Sequence, residues 1–487
     1  MNKNFIVEFK HFVSRWLLPL LGIDISENNL EDYISLPNKE TNFDYIDIED
    51  NNIIFGTKTK RIACFEYEEG LSKDNLSLAR VIIQAFLKVS KYSDKESGNP
   101  QMNYVSDMLQ DVNYAYAIEY GICGWIIGES MSYEIEKLFR CLEDWSQKTY
   151  EGNNVSFGII IDREKESVYN KTSDKRQHEI IYSKYGNFLD FLKDDYGAVL
   201  SDGITSIIEV DDKCNFLNYY SITENNKIKG CELENNLPYR FASTIHNYVV
   251  GDKIGVFLLR NGDIIISKKQ EVRFIKRNSK WLNFSVNAFK NILKDIKISN
   301  ALLSDIFVSA IDVSLSHCGG IIAVIDDISK IYGNGNNTLN KIDNILEDFD
   351  FDLLYEEEIS KCKKSQANLD KKERSIKKRL LKRGVLLQLL KKKNISDSFE
   401  GKATCNFSEI DRRLRTELIS LDGACIMLLD GTVCSFGAIV QNESGSSGGG
   451  RGAAAEKLSS FSGFAIKIST DGYIEVYKNK DLVYSIK

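Results

Sequence analysis

The sequence lacks the cysteine and histidine patterns that hold structural zinc. Its ten cysteines are scattered without a C-x-x-C pair, and none of its four histidines is placed at zinc-ligand spacing. A chain of 487 residues can bury a core large enough to be stable without disulfides. We therefore expect free thiols and a reducing, cytoplasmic compartment.

A signal peptide and a membrane span are also missing. The stretch MNKNFIVEFKHFVSRWLLPLLGID is interrupted by Glu8, Lys10, His11 and Arg15, and it has no small-residue cleavage site. Its apolar residues recur at helical spacing, which predicts packing against the protein's own core rather than against a membrane. These residues are Phe5, Phe9, Phe12, Val13 and Trp16.

A large excess of positive charge is absent too. The chain has 63 Lys and Arg against 70 Asp and Glu, a formal net charge of −7. This balance favours solubility and does not indicate a polyanion-binding protein. Nucleic acid is therefore not an expected partner.

The pattern along the chain predicts an α/β fold in several units. We predict an α/β or α+β domain at 1–150, a second small α/β unit at 151–237 and a larger domain at 240–487. The Asn-rich stretch 223–236 before Pro238 marks the boundary that precedes the third unit.

Within the third unit, short-range signals alternate between strands and helices. Asn261-Gly262 predicts a hairpin, because a type I′ turn requires such a pair. The run from Trp281 predicts a helix that stops at Gly319-Gly320 and leads into a buried strand at 321–326. A charged segment within 333–395 predicts a basic helical insertion. A solvated helical hairpin is the preferred interpretation, and phosphate contact is the alternative.

An Asp-Gly-Ala triplet stands out at residues 422–424. Asp430-Gly431 is the turn of a predicted hairpin, whereas Asp422-Gly423 precedes an apolar strand where no hairpin needs it. Gly423 would let a ligand approach the backbone, and Asp422 could hold a divalent cation or accept a hydroxyl proton. A plain turn is the alternative interpretation.

A glycine-rich segment leads directly into a strong helix former. In SGSSGGGRGAAAEKLSS (444–460), backbone N–H groups and the positive end of a helix would converge at Gly450 to Ala453. Such geometry suits a phosphate, while a flexible linker is the competing interpretation. No G-K-[ST] follows, so it is not a Walker loop.

Together, these motifs resemble the diadenylate cyclase domain of the DNA-integrity-scanning and membrane-bound c-di-AMP synthases. The resemblance covers about 245–487 apart from the insertion, and it implies a mixed central sheet flanked by helices. It also implies a face-to-face homodimer in which two ATP molecules with Mg²⁺ or Mn²⁺ are joined. By this resemblance, Asp422 positions metal and nucleophile. The implied nucleotide-binding residues are Gly423, Ala424, Ser447, Gly448, Gly449, Gly450, Arg451 and Gly452.

The chain departs from the family at its cationic motif. The family has Gly-Thr-Arg-His-Arg-Ala-Ala, whereas the stretch from Gly448 to Ala454 has Arg451 in the place of the histidine and glycines in the place of both arginines. A charge-assisted contact to phosphate is worth about 1.5–3 kcal/mol. We therefore expect binding to survive better than turnover.

Three other polar sites received a structural interpretation. His317 is expected to cap a helix end, Asp326-Asp327 to form a polar strand end and Asp202-Gly203 to form a turn, read as a hairpin signal. Ligand-facing roles for them are the less favoured alternatives.

The sequence thus supports three hypotheses. The first is a signalling or defence protein whose cyclase-like domain senses an adenine or cyclic nucleotide. The second is an active, divergent diadenylate cyclase, and the third is a structural interaction module.

Overall fold

The computed structural model shows a mixed α/β protein with two mixed β-sheets, of seven and six strands. It divides into two compact units, the first comprising Met1–Ile228 and Arg240–Ser285 and the second Lys229–Tyr239 and Val286–Lys487. No helix among the described residues is long and apolar enough to cross a membrane. The residues that the structure describes are 11–17, 20, 45–49, 52–57, 60–66, 77–86, 103–128, 133–150, 152–163, 187–191, 200–222, 237–284, 286–327, 356, 396–397, 403–404, 406–438, 440, 449–461 and 463–486.

The first unit contains a three-stranded antiparallel sheet, a short ribbon and the seven-stranded sheet, whose order is β12-β11-β10-β9-β6-β7-β8. Only β6 and β7 are parallel within the large sheet. The strands are β1 (Tyr45–Glu49), β2 (Asn52–Thr57), β3 (Lys60–Glu66), β4 (Thr149–Tyr150), β5 (Asn153–Asn154), β6 (Phe157–Ile161), β7 (Ser206–Val210), β8 (Phe216–Ser221), β9 (Ile254–Leu258), β10 (Ile264–Lys268), β11 (Glu271–Arg277) and β12 (Lys280–Asn283).

The helices of this unit bury apolar residues in its interior. They are α1 (Asn103–Ile127), α2 (Tyr133–Ser146), α3 (Phe188–Phe191) and α4 (Ala242–Tyr248), with further helical residues at 77–86 and a π-helical turn at Val13–Leu17. In α2, Ile135, Leu138, Phe139 and Leu142 recur at helical spacing and are fully buried. Phe12 and Val13 are also fully buried in this core, which confirms the core interpretation for these two residues.

The second unit is built on the six-stranded sheet β17-β16-β13-β18-β19-β20, in which only β13 and β16 are parallel. Its strands are β13 (Gly320–Ile325), β14 (Ser396–Asp397), β15 (Ala403–Thr404), β16 (Ala424–Leu428), β17 (Val433–Ala438), β18 (Phe464–Ile468), β19 (Ile474–Lys478) and β20 (Asp481–Ile486). Its helices are α5 (Val286–Ile292), α6 (Asn300–Leu315), α7 (Arg412–Ile419) and α8 (Gly449–Ser459).

Helices cover the central strand β13, a continuous apolar run that is buried along its whole length. Ile321, Ala323 and Ile325 form a core with Ala454 and Leu458 of α8. Side chains alternate across a strand, so the other face of β13 is free to pack against α6, which also contacts this strand. A mixed α/β fold, as predicted, is confirmed.

The division of the chain differs from the one predicted. Strands β9–β12, which the sequence analysis assigned to the domain at 240–487, hydrogen-bond through β9 to β6 in the first unit. The hairpin at Asn261-Gly262 is nevertheless confirmed, because β9 and β10 pair there and Gly262 has a φ of +90°. The basic insertion predicted at 333–395 lies almost entirely outside the described residues.

The predicted helix from Trp281 to Gly319 was wrong in its bounds. Trp281 lies in β12, and two helices, α5 and α6, occupy the rest of the run. Helix α6 ends at Leu315 and not at the glycines, because His317 itself adopts the left-handed conformation with a φ of +50°. The interpretation of His317 as a helix-end residue is therefore confirmed.

Candidate functional site

Two short segments, Gly319-Gly320 and Asp422-Gly423, lie at one edge of the second sheet. Strands β13 and β16 run parallel with Ile321 opposite Ala424, so Gly319-Gly320 and Asp422-Gly423 lead into the sheet at the same end. Neighbouring strands lie about 5 Å apart, so the two segments that precede them are adjacent. We call the surface formed by residues 319–320, 422–423 and 449–452 the amino edge.

Arg451 joins this edge from helix α8. Its guanidinium Nη1 and Cζ lie 2.5 and 2.6 Å from the position that a Cβ atom on Gly319 would occupy. Only a glycine at 319 leaves room for this guanidinium in its present position. Arg451 and Asp422 are both exposed, and neither forms an ion pair with any residue that the structure describes. Two opposite charges without an ion-pair partner among the described residues therefore flank the start of β13.

The glycine of the Asp-Gly-Ala triplet has a packing role. Gly423 has a φ of +117°, and a Cβ atom there would lie 2.3 Å from the carbonyl carbon of Gly437. Gly423 was expected to leave room for a ligand. The group that approaches it closely is instead the backbone of β17. Ala424 is fully buried in β16, so its side chain does not reach the amino edge. Of the triplet, Asp422 alone presents its side chain to solvent.

The glycine-rich segment forms the first turn of α8. Gly449, Gly450, Arg451 and Gly452 are helical, whereas Ser447 and Gly448 lie outside the described residues. The first N–H groups of a helix have no partner within the helix, and its dipole places partial positive charge there. The helix start predicted near Gly450 is confirmed, and it lies on the same edge as Asp422.

A charged cluster that the sequence analysis missed lies under this helix. The ammonium of Lys467 in β18 pairs with Glu475 Oε2 at 2.7 Å, and the hydroxyl of Tyr477 donates to the same oxygen at 3.0 Å. Burial, helped by the hydrogen bond to Glu475, raises the pKa of Tyr477 to about 12. Lys467 Nζ lies 3.9 Å from the Cβ position of Gly452. Lys467 and Glu475, each between two apolar neighbours in FAIKIST and YIEVYK, were the available signal.

The described residues contain no cluster of three or more His, Cys, Asp or Glu side chains that could hold a metal ion. Among the described residues, Asp422 is therefore the carboxylate that the amino edge offers to a metal ion. Mg²⁺ often uses one or two carboxylates together with substrate phosphates. The edge fits a metal that arrives with a nucleotide and not one held by a protein cage.

The other polar candidates are not brought to the amino edge as a group. Asp326-Asp327 follows β13, at the opposite end of the strand that Gly319 precedes. Asp202 Oδ1 accepts the N–H groups of Ile204 and Thr205 at 2.8 and 2.7 Å, which confirms a turn. This turn does not make a hairpin, since the strand after it pairs with β6 in parallel. Only His317, two residues before Gly319, lies near the edge.

Comparisons with known proteins give no further information on the site. No protein-family model, no curated protein and no solved structure matches this chain.

Proposed function

We propose that the second unit binds a phosphate-bearing nucleotide, an adenine or cyclic nucleotide, at the amino edge. The observation that carries this proposal is the convergence of Asp422 with Arg451 and the first turn of α8, which come later in the chain. Nucleotides combine a polyanionic group with a metal requirement, and the edge offers a complement to both.

The phosphate would be held by backbone and side chain together. N–H groups of the first turn of α8 and the helix dipole favour an anion. Arg451 adds a guanidinium, which suits phosphate oxygens through paired N–H donors. The position of Arg451 against Gly319 brings this cation over the start of β13.

The metal would be held from the other side of the edge. Asp422 is exposed and lies in the segment that leads into β16, next to the strand that Gly319 precedes. A Mg²⁺ or Mn²⁺ ion carried by the phosphates would gain one carboxylate ligand there, and water would fill its other positions. This arrangement needs no second acidic residue from the described part of the chain.

The resemblance to diadenylate cyclases supports a nucleotide rather than a simple anion. It favours sensing over synthesis, because two arginines of the family motif are glycines here, Gly450 and Gly452. Loss of two charge-assisted contacts lowers transition-state stabilisation more than ground-state binding. An active cyclase is the second candidate, favoured by the placement of Asp422 and Arg451 on one edge.

A thermal-shift series tests the binding. Purified protein would be melted with ATP, c-di-AMP or no ligand in the presence of Mg²⁺. A ligand at 100 times its Kd stabilises the native state by about 2.7 kcal/mol, so a shift of several degrees is expected. Arg451→Ala should remove this shift, while Arg413→Ala, an exposed arginine on α7, should leave it unchanged. No shift with either nucleotide would refute the proposal.

A product assay separates sensing from synthesis. The protein would be incubated with ATP and Mn²⁺, and cyclic dinucleotide would be sought by chromatography. Sensing predicts no product. Product that disappears in Asp422→Asn would establish the cyclase instead.

A further inference from the structure

The two large sheets share one arrangement of strands. In each, a central strand (β6 or β13) has a parallel neighbour (β7 or β16) that returns as an antiparallel strand (β8 or β17). On the other side, an antiparallel strand (β9 or β18) leads into two further antiparallel strands (β10 and β11, or β19 and β20). The order along the chain is also the same.

Local irregularities repeat at a constant offset. A register shift lies between Ile266 and Ser267 in β10, and another lies between Val476 and Tyr477 in β19, 210 positions later. The turn after each strand contains two left-handed residues, again 210 positions apart. These pairs are Lys269-Gln270 and Asn479-Lys480. A β-bulge followed by a hairpin turn with two left-handed residues, at the same place in both sheets, supports the equivalence of β10 and β19.

The opposite half of each sheet repeats as well. The turn after β7 is closed by Asp211 N–H to Asn215 O at 3.0 Å, and the turn after β16 by Leu428 N–H to Thr432 O at 2.9 Å. An asparagine side chain then ties an earlier segment to each turn. Asn187 Nδ2 donates to Lys213 O at 2.6 Å, and Asn406 Nδ2 donates to Asp430 O at 3.1 Å.

We infer that the chain contains two copies of one fold, and that only the second copy binds the nucleotide, with Lys467 as a phosphate-binding residue. The first copy extends from β6 to β11 and the second from β13 to β20. This inference rests on the function proposed above and adds a residue and a stoichiometry to it.

The corresponding positions differ sharply in chemistry. Phe257 lies directly opposite Ile265 on β9 and β10, and Lys467 lies directly opposite Glu475 on β18 and β19. The strand register therefore equates Phe257 with Lys467 and Ile265 with Glu475. Phe241 stacks on Phe257 with ring centroids 4.8 Å apart, and both rings are fully buried. In the second copy, Gly452 of α8 lies beside Lys467, whose Nζ is 3.9 Å from the position of a Cβ atom on this glycine. Aromatic rings thus fill this part of the first copy. The second copy has a cation there, next to a residue without a side chain.

The first copy shows that this fold accepts an apolar stack at these positions. The fold therefore does not require the pair of Lys467 and Glu475, and taking charges out of water is costly. An ion pair that the architecture can dispense with indicates function. Lys467 keeps 21% of its side chain exposed, next to the turn that carries Arg451. It supplies a second cation where the family motif has lost its arginines.

A binding experiment tests both parts of the inference. ATP and c-di-AMP binding would be measured by equilibrium dialysis on the full chain, the Lys467→Met variant and the Lys478→Met variant. Lys478 is a matched control, because its counterpart in the first copy is also a lysine, Lys268. We expect one nucleotide per chain, a Kd raised at least tenfold by Lys467→Met and a Kd within twofold of the parent for the control.

A swap variant covers the case in which Lys467→Met fails to fold. This triple variant copies the first repeat through Gly452→Phe, Lys467→Phe and Glu475→Ile. It should keep the melting temperature of the parent and lose nucleotide binding. Two nucleotides per chain, or unchanged binding in a folded Lys467 variant, would overturn the inference. If Arg451→Ala weakens binding while Lys467→Met does not, the inference fails and the proposed function stands. A parent protein that binds no nucleotide refutes both.

Discussion

The two copies differ most at the carboxyl ends of their central strands. In the first copy, Glu209 is 1% exposed, accepts from Tyr220 at 2.6 Å and from Asn218 at 2.5 Å, and pairs with Lys253. The strand register places Ile426, fully buried, at the position of Glu209 in the second copy, and Gly463 at that of Lys253.

This difference separates what the fold requires from what each copy has acquired. One backbone arrangement accepts either a hydrogen-bonded charge network or plain apolar packing at the same positions. Burying charge is costly unless every group is paired. The first copy meets this condition at its carboxyl ends, whereas the second has apolar side chains and a glycine at the corresponding positions and places a charged pair beside α8. The following predictions test this contrast.

The largest effect should come from breaking the network of the first copy. Glu209→Ala leaves Lys253, Tyr220 and Asn218 without their shared acceptor, and we expect the free energy of unfolding to fall by about 3–5 kcal/mol in urea titrations. Exchanging Asp162, Glu209 and Lys253 together for Ile, Ile and Gly should recover most of this loss. If the triple variant were as unstable as the single one, the two copies would not be equivalent.

A smaller loss is expected at the Asp-Gly pairs. Gly423→Ala forces a strained φ and a contact with Gly437, and it should lower the free energy of unfolding by about 2–3 kcal/mol. Gly203 of the first copy is less tightly enclosed, with its nearest neighbours 3.1 Å from a Cβ atom, so Gly203→Ala should cost less. Calorimetry on both variants would measure the two losses of stability. A larger loss for Gly203→Ala than for Gly423→Ala would contradict the packing role assigned to Gly423.

The alkaline limit of stability should be alike in the two copies. Burial, with a contribution from nearby Asp211, raises the pKa of Cys214 to about 12, and burial with Asp430 does the same for Cys434. The folded state holds these protons more tightly than the unfolded state does. Each contribution is therefore complete below pH 9 and is lost as the pH rises towards 12. Melting temperatures of Cys214→Ala and Cys434→Ala, taken from pH 8 to 11, should depend less on pH than those of the parent.

The smallest effect is a gain. Gly450 lies inside the first turn of α8, and a Cβ atom there would meet no atom within 4 Å. Gly450→Ala should therefore raise the free energy of unfolding by about 0.5–1 kcal/mol, through helix propensity. Thermal melts would measure this change. A loss of stability would show that the space beside Gly450 is used by the protein itself.

The sequence predicted those features that short-range chemistry determines. The turns at Asn261-Gly262 and Asp430-Gly431 are both present, each with its glycine at positive φ. The buried strand after Gly320 was likewise recognisable as an uninterrupted apolar run. Turn residues and apolar runs act over a few positions, so a single sequence is enough to read them.

Long-range pairing could not be read in the same way. Strands β9–β12 alternate as any half-buried strands would, and nothing in that alternation selects β6 over β13 as the partner. The repeat was also missed, because few residues are identical between the copies. Examples of identical residues are Gly262 with Gly472 and Arg240 with Arg451. Within the candidate site, Asp422 and Arg451 were predicted, while Lys467 became visible only when its counterpart Phe257 could be compared with it.

The parallel pairing within each sheet also has a consequence for how the protein can change. A parallel pair requires a crossover from the end of one strand to the start of the next. These crossovers span residues 162–205 in the first copy and 326–423 in the second. Doubling a flexible loop adds only about 0.6 kcal/mol of closure entropy. The second crossover, with 98 residues against 44, is more than twice as long as the first at a small entropic cost, so a reporter domain could be inserted there by design.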